Sequence, residues 1–196
     1  MYNHAEKNTL HLFRIGIELG KRSPNGEKTQ IGVAQRRKKF MIKVGIIGAT
    51  GYAGGELVRL LLGHKEAEIV WYGSRSYVDQ SYASIYQNMF QLVDAKCMDD
   101  NMEALADQAD IIFTATPQGL CASLISEDIL SKTKIVDLSA DFRLKNVKIY
   151  EEWYKIGHKA PQYIDEAVYG LCEINREKVK GARLVANPGC YPTCST

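Results

Sequence analysis

The sequence predicts an α/β fold built on a doubly wound, mostly parallel sheet, and three observations carry that prediction. Apolar, β-branched runs recur without polar alternation, as strands buried on both faces require. Helical stretches separate them at the spacing of βαβ units. The first run ends in a glycine-rich turn, Gly48-Ala49-Thr50-Gly51-Tyr52-Ala53-Gly54, that leads into a helix.

The elements follow in order. Residues 43–49 read as a buried parallel strand, and residues 56–63, with Leu57, Val58, Leu60, Leu61 and Leu62, as a helix packed on the sheet. Residues 68–72 form a second strand. A helix over 101–108 leads to an apolar strand at 110–115, which Thr116-Pro117 ends. Residues 120–130 are expected as one helix and 134–138 as a further strand. The stretch 142–175 reads as irregular, with Tyr150, Trp153 and Tyr154 close together. A short strand at 183–186 stops at Asn187-Pro188-Gly189, and Pro192 suits the first turn of a new helix. No internal repeat or low-complexity segment is present.

A length of 196 residues leaves room for one domain and the start of a second. With 45% hydrophobic and 24% charged residues, a sizeable core can be buried. No apolar run approaches the roughly 18 residues of a membrane span. Five cysteines, an odd number without paired spacing or a secretory signal, favour free thiols in a reducing, cytoplasmic compartment.

Charge is uneven. Residues 1–40 carry nine basic and three acidic side chains, net +6, whereas the remainder holds 16 basic and 20 acidic, net −4. A basic arm would suit nucleic acid, an anionic surface or an organellar address. It lacks a continuous amphipathic period, its glutamates are unusual for a transit peptide, and Met41 stands where a regular strand begins. Residues 1–40 are therefore read as a disordered or mis-started leader, with a functional tail as the alternative, and neither nucleic acid nor membrane is expected as a partner.

Glycines at a strand–helix turn permit the tight bend, let backbone approach a pyrophosphate and allow close helix–strand packing. The N–H groups and positive dipole end of the helix then hold phosphate charge. The spacing here is G-x-x-G-x-x-G, and its place after the first strand of a βαβ pattern favours dinucleotide binding over a bare turn. Such a site is Rossmann-like, with Gly48, Thr50, Gly51, Tyr52, Ala53 and Gly54 as contacts. An NAD-preferring site usually sets an acid at the end of the second strand. Here the strand runs into Gly73-Ser74-Arg75-Ser76 without one. Ser74 can donate to a 2′-phosphate and Arg75 can fork onto it, so NADP is the expected cofactor. A solvated loop arginine is the plain alternative.

Cys190 is the candidate nucleophile. It follows a strand directly, within Asn187-Pro188-Gly189-Cys190-Tyr191-Pro192-Thr193, where a sharp turn opens a helix. A thiolate is favoured at a helix N-terminus, and backbone N–H groups there can hold an oxyanion; a buried core cysteine is the competing reading. Cys194 raises a metal or disulfide reading, yet two thiols without a further Cys or His make a poor zinc site, and no metal is expected. Cys97, Cys121 and Cys172 read as packing residues. Among the histidines, His4 and His11 lie in the leader, His64 ends the first helix on the expected cofactor side, and His158 has no geometric claim on Cys190. The nucleophile is left without an identified base.

Together the glycine turn with Glu56-Leu57, the run Asp137-Leu138-Ser139-Ala140-Asp141-Phe142-Arg143, Val168-Tyr169-Gly170-Leu171 with Glu173, and the run from Asn187 to Thr193 resemble N-acetyl-gamma-glutamyl-phosphate reductase, from residue 41 to 196. The resemblance implies an arginine-biosynthesis enzyme whose cysteine, here Cys190, attacks an acyl phosphate and expels phosphate, the thioester then being reduced by NADPH. It maps the family's Ser-Arg onto Ser74-Arg75 and a loop near the nicotinamide onto Thr116-Pro117-Gln118-Gly119, where histidine is more usual than Gln118. Asn187, Asp141 and Arg143 are implied as substrate or interface residues, a structural ion pair being the alternative for the last two.

The resemblance further implies a homo-oligomer and a second, α+β substrate and dimerisation domain bearing the catalytic histidine. On that reading residues 41–190 are the NADP-binding domain, 191–196 open a domain otherwise missing, and the fragment alone is inactive in the complete reaction, with an apolar sheet face uncovered. An aspartate-semialdehyde dehydrogenase-like enzyme, which shares the glycine turn and strand-end cysteine, and a non-catalytic NADP-binding module are the other two readings.

Overall fold

The computed structural model describes residues 41–196, and the leader expected over 1–40 lies outside the described residues. Six strands form one sheet: β1 (Ile42–Ile47), β2 (Ala67–Gly73), β3 (Ile111–Thr114), β4 (Lys134–Asp137), β5 (Val168–Tyr169) and β6 (Leu184–Ala186). Their order is β2-β1-β3-β4-β6-β5 and every pairing is parallel. Helices α1 (Tyr52–Leu62), α2 (Tyr82–Ile85), α3 (Met102–Ala106), α4 (Leu120–Leu124), α5 (Glu127–Lys132), α6 (Val147–Tyr154), α7 (Cys172–Gly181) and α8 (Cys190–Ser195) complete the described chain.

The doubly wound arrangement follows from strands that are apolar on both faces. Val44, Ile46, Ile111 and Phe113 pack with Leu57, Val58 and Leu61 of α1 and Val179 of α7 in one cluster. Ile47, Ile112 and Ile135 pack with Leu105 of α3, Cys121 of α4 and Ile129 of α5 in another. The chain winds from β1 to β2 on one side and to β3 on the other, so the strand order reverses beside β1. In open α/β sheets that point, at the carboxyl ends of the strands, is where ligands bind.

Several expectations are corrected. Helix α1 begins at Tyr52, four residues before the expected 56, so Tyr52, Ala53 and Gly54 form its first turn. His64 consequently lies beyond the C-terminal end of α1, away from the glycine turn, where its Nδ1 accepts from the Glu66 N–H at 3.1 Å. The single helix expected over 120–130 is two. Extended Ile125 and Ser126 interrupt it, and Ser126 caps α5 by accepting from the Ile129 N–H ahead of Glu127 and Asp128 in the first turn.

The stretch 142–175 is ordered rather than irregular. Asn146 caps α6 through the Lys148 and Ile149 N–H groups. A short 3-10 turn and β5 follow, and α7 starts at Cys172. Lys145 holds this stretch together by donating to the carbonyls of Ile164 (2.5 Å) and Ala167 (2.7 Å). Cys97, Cys121 and Cys172 are buried, and Cys190 and Cys194 are exposed.

Candidate functional site

Because the strands are parallel, the turns after β1, β3, β4 and β6 all open on one edge of the sheet. The elbow after β1 is built by two glycines. Gly48 has φ +82°, and a Cβ on it would collide with the Ala115 carbonyl oxygen at the end of β3. A Cβ on Gly54 would collide with the Gly48 carbonyl oxygen and lie 2.7 Å from Ala49 Cα, so only glycine lets α1 pack this close. At Gly51, by contrast, the corresponding position has only ordinary contact, with the Gly48 oxygen at 3.5 Å. Gly51 is the N-cap of α1 and supplies no side-chain cap, which leaves the first N–H groups for an external acceptor. Tyr52 stands fully in solvent beside them.

Two tyrosines that sequence reasoning did not single out hold the elbow's carbonyls. Tyr82 donates to Ala49 O at 3.0 Å, and the Tyr86 hydroxyl lies 3.2 Å from Thr50 O and 3.1 Å from Gly51 O. Their rings stack with centroids 5.3 Å apart. Burial raises the pKa of both phenols, so they remain donors across the neutral range. With its acceptors tied back, the elbow presents donors outward. No local motif announces this; the signal is only that tyrosines cluster a few residues after β2.

The residues expected to choose the cofactor lie next to this elbow. Ser74 is buried, and its hydroxyl shares a 2.8 Å hydrogen bond with Thr50 Oγ1, so it forms the floor under the turn. Arg75 is 60% exposed, and its Nε donates to Asp100 Oδ2 at 3.0 Å. Thr116, after β3, has its Oγ1 buried without a hydrogen-bond partner, and its Cγ2 lies 3.5 Å from the Cβ position of Gly48. A tight glycine elbow with the uncapped N–H groups of α1 beside it fits a dinucleotide pyrophosphate.

Further along the edge, Arg143 ties β4 to the segment after β6. Its Nε donates to Asn187 O and its Nη2 to Leu138 O, both at 2.7 Å. Its Nη1 lies 3.3 Å from the Cβ position of Gly189, immediately before Cys190. The Asn187 N–H donates to Asp137 O and its side chain to Pro188 O. Cys190 is thereby fixed, exposed, at the sheet edge and at the start of α8. Three strand spacings separate β1 from β6, on the order of 14 Å, so elbow and thiol stand apart along one edge of the sheet.

Asp141, expected as a substrate or interface residue, is enclosed by donors of its own chain. It is fully buried and accepts from the Gly119 N–H at 2.7 Å, the Ala122 N–H at 3.0 Å and the Tyr150 hydroxyl at 2.9 Å. Nor does it pair with Arg143. Gly119, the N-cap position of α4, has no side chain to cap it, and Asp141 does so from another connection, fixing the loop that carries Thr116 and Pro117.

His158 belongs to the same cluster. Its Nδ1 accepts from the Ala160 N–H, so Nε2 carries the proton toward Asp141 O at 2.6 Å, and neither nitrogen is open to Cys190. Burial raises the Cys121 thiol well above its ordinary pKa, with nearby Asp137 adding to the shift, and raises Cys172 to about 11. Those thiols stay protonated and inert.

Residues 43–182 match the family described as "Semialdehyde dehydrogenase, NAD binding domain". The chain belongs to this family. Among curated relatives, the N-acetyl-gamma-glutamyl-phosphate reductase of Lachnospira eligens is 78% identical over 156 residues, 79% of this chain and 45% of that protein. The protein of the same name from Lachnoclostridium phytofermentans is 69% identical over 155 residues, with the same two shares. The chain thus spans about 45% of the length of these relatives. A solved aspartate semialdehyde dehydrogenase with NADP from Candida albicans aligns with a TM-score of 0.42 and 19% identity, over 61% of this chain and 40% of its own. The family match covers the elbow, Arg75, the Thr116 loop and Arg143, and stops before Cys190. Among the described residues no group of His, Cys, Asp and Glu could hold a metal, and no helix is long and apolar enough to cross a membrane.

Proposed function

We propose that this chain is the nucleotide-binding part of an enzyme that reduces N-acetyl-gamma-glutamyl phosphate to N-acetylglutamate semialdehyde with NADPH, releasing phosphate, in arginine biosynthesis. The observation that carries the reading is the shared edge, with a donor-lined glycine elbow at β1 and an exposed thiol at β6. The high identity to relatives bearing that reductase name supports this substrate over aspartyl phosphate.

On this reading the N–H groups at the start of α1, with Gly48, Thr50, Gly51, Tyr52, Ala53 and Gly54, hold the pyrophosphate. Arg75 takes the 2′-phosphate above the buried Ser74, and Thr116 and Pro117 border the nicotinamide end. Cys190 Sγ, as thiolate, bonds to the acyl carbon, and the carbon–oxygen bond to phosphate breaks, the electron pair leaving with phosphate. Arg143 and Asn187 hold the turn that aims Cys190, with Arg143 Nη1 placed toward the departing charge. The bound cofactor supplies the hydride that reduces the resulting thioester. The thiolate is then expelled as the aldehyde forms.

The nucleotide-binding unit on this reading covers residues 41–190, and 191–196 open the substrate domain. The acyl phosphate is the partner, assembly is homo-oligomeric, and a reducing cytoplasm suits the five free thiols. Two experiments test the proposal. NADPH fluorescence should saturate with the chain, and Arg75→Glu should weaken NADPH far more than NADH. N-acetyl-gamma-glutamyl phosphate should release one phosphate per chain while intact mass gains the acyl group, and Cys190→Ser should abolish both. Saturable NADPH binding without acylation would leave a binding module instead, and preference for aspartyl phosphate would favour the sister enzyme.

A further inference from the structure

Asp100 takes no part in the reading above, yet the fold sets it against the residue that chooses the cofactor. Residues 96–98 run along the free edge of β2, with Gly73 bridged in parallel to Met98. The Met98 N–H donates to Tyr72 O and the Ser74 N–H to Met98 O. Two residues further along each segment stand Arg75 and Asp100, which explains why positions 25 apart in sequence meet at 3.0 Å.

The Asp100 carboxylate is nine-tenths buried, its side chain being 10% exposed. Its Oδ2 accepts from Arg75 Nε, whereas Oδ1 is buried without a hydrogen-bond partner. Oδ1 points to the elbow, 3.0 Å from the Cβ position of Gly73. The Gly48 amide there lowers the Asp100 pKa, but it already donates to Gly73 O at 3.1 Å and gives Oδ1 no bond of good geometry. Burial is the larger influence and raises the pKa. A buried carboxylate with one oxygen unsatisfied is a liability to the fold, and at this place its return is control of Arg75. Among the described residues the two Nη atoms of Arg75 have no partner, while Nε is occupied. The guanidinium therefore sits pinned at its inner corner with its outer fork facing solvent beside the elbow.

We propose that Asp100 is a positioning residue for cofactor choice: it fixes Arg75 so that both Nη groups engage the 2′-phosphate of NADP, and it contributes little to NAD. The inference rests on the dinucleotide reading of the elbow. A bidentate guanidinium contact depends on orientation as well as charge, and ordering a long side chain in advance removes that entropic penalty from binding. Loss of the anchor should weaken NADPH about threefold to tenfold.

The test is a double-mutant cycle on the chain, with dissociation constants for NADPH, NADH and adenosine 2′,5′-bisphosphate read by fluorescence or calorimetry. Asp100→Ala should weaken NADPH and the bisphosphate by that factor and leave NADH within about twofold. In an Arg75→Ala background the same change should have no further effect. Asp100→Asn, which keeps side-chain volume should the alanine variant not fold, should weaken NADPH in the same direction. Equal weakening of both dinucleotides, an undiminished effect without Arg75, or no change in NADPH affinity would each overturn the assignment. If the unaltered chain binds neither dinucleotide, the reading of the elbow itself fails.

Discussion

Replacing Asp141 by asparagine tests whether this carboxylate is the anchor of the loop at 116–119. The two side chains differ little in volume, so the change isolates hydrogen bonding. Asp141 Oδ1 accepts from the Gly119 N–H and the Tyr150 hydroxyl, and Oδ2 accepts from the Ala122 N–H. An asparagine that keeps its oxygen on the first pair must turn its NH2 toward the Ala122 N–H. One charge-assisted bond, worth about 1.5–3 kcal/mol, is then lost, and a buried N–H left unsatisfied costs a further ~1–3 kcal/mol. The neutral amide is easier to bury than the carboxylate, which offsets part of this. The net loss should be about 3 kcal/mol, or roughly 6–12 °C in Tm for a chain of this size.

Urea unfolding with linear extrapolation gives the energy, and amide exchange locates it, with protection falling first at Ala122 and Gly119. A loss under about 1 kcal/mol with Ala122 protection unchanged would refute the capping argument.

Three further outcomes follow from the same contacts. Gly54→Ala puts a methyl group into the Gly48 carbonyl and close to Ala49 Cα, so the elbow must open; stability should drop by about 1–3 kcal/mol and NADPH titration should lose its saturable signal. Arg143→Met keeps a long stem but removes the donors to Asn187 O and Leu138 O. Alkylation of Cys190 should become less selective over Cys194, with exchange protection lost at Asn187, as peptide mass mapping would show. Stability should also fall as pH rises above about 9. Cys172 is raised to about 11 in the folded chain, so the unfolded thiol releases its proton first and the unfolded state is favoured by up to ~1.4 kcal/mol per pH unit. The urea midpoint of Cys172→Ala should depend less steeply on pH between 9 and 11 than that of the unaltered chain.

What could be read in advance depended on how local the signal was. The strands β1, β3, β4 and β6 announce themselves as short apolar runs, and the Gly48 and Gly54 positions are legible because the turn allows nothing larger. The break at Ser126 was legible in principle, since a serine followed by Glu127 and Asp128 is a cap signal, but the flanking leucines mask it as one helix. Strand β5 is two residues long and exists only through pairing with Val185 and Ala186, so no periodicity marks it. Helix α7 is mostly polar, with Glu173, Arg176, Glu177, Lys178 and Lys180, and buries only Cys172 and Val179. At the site, the glycine elbow, Arg75 and Cys190 follow from chain position. The partners that hold them do not, because Tyr86, Asp100 and Arg143 act across 25 to 44 residues of sequence.

The order in which β5 and β6 enter the sheet has a consequence for assembly on the ribosome. Strand β5 is made before β6 yet lies outside it, so the place beside β4 must stay vacant while residues 138–183 emerge. Until Leu184, Val185 and Ala186 arrive, β4 keeps a naked flank and β5 has nothing to dock on. The nascent chain can mature its β2-β1-β3-β4 half early, but the outer half closes in a single late insertion. That same insertion delivers Asn187 to Arg143 and so completes the cysteine turn.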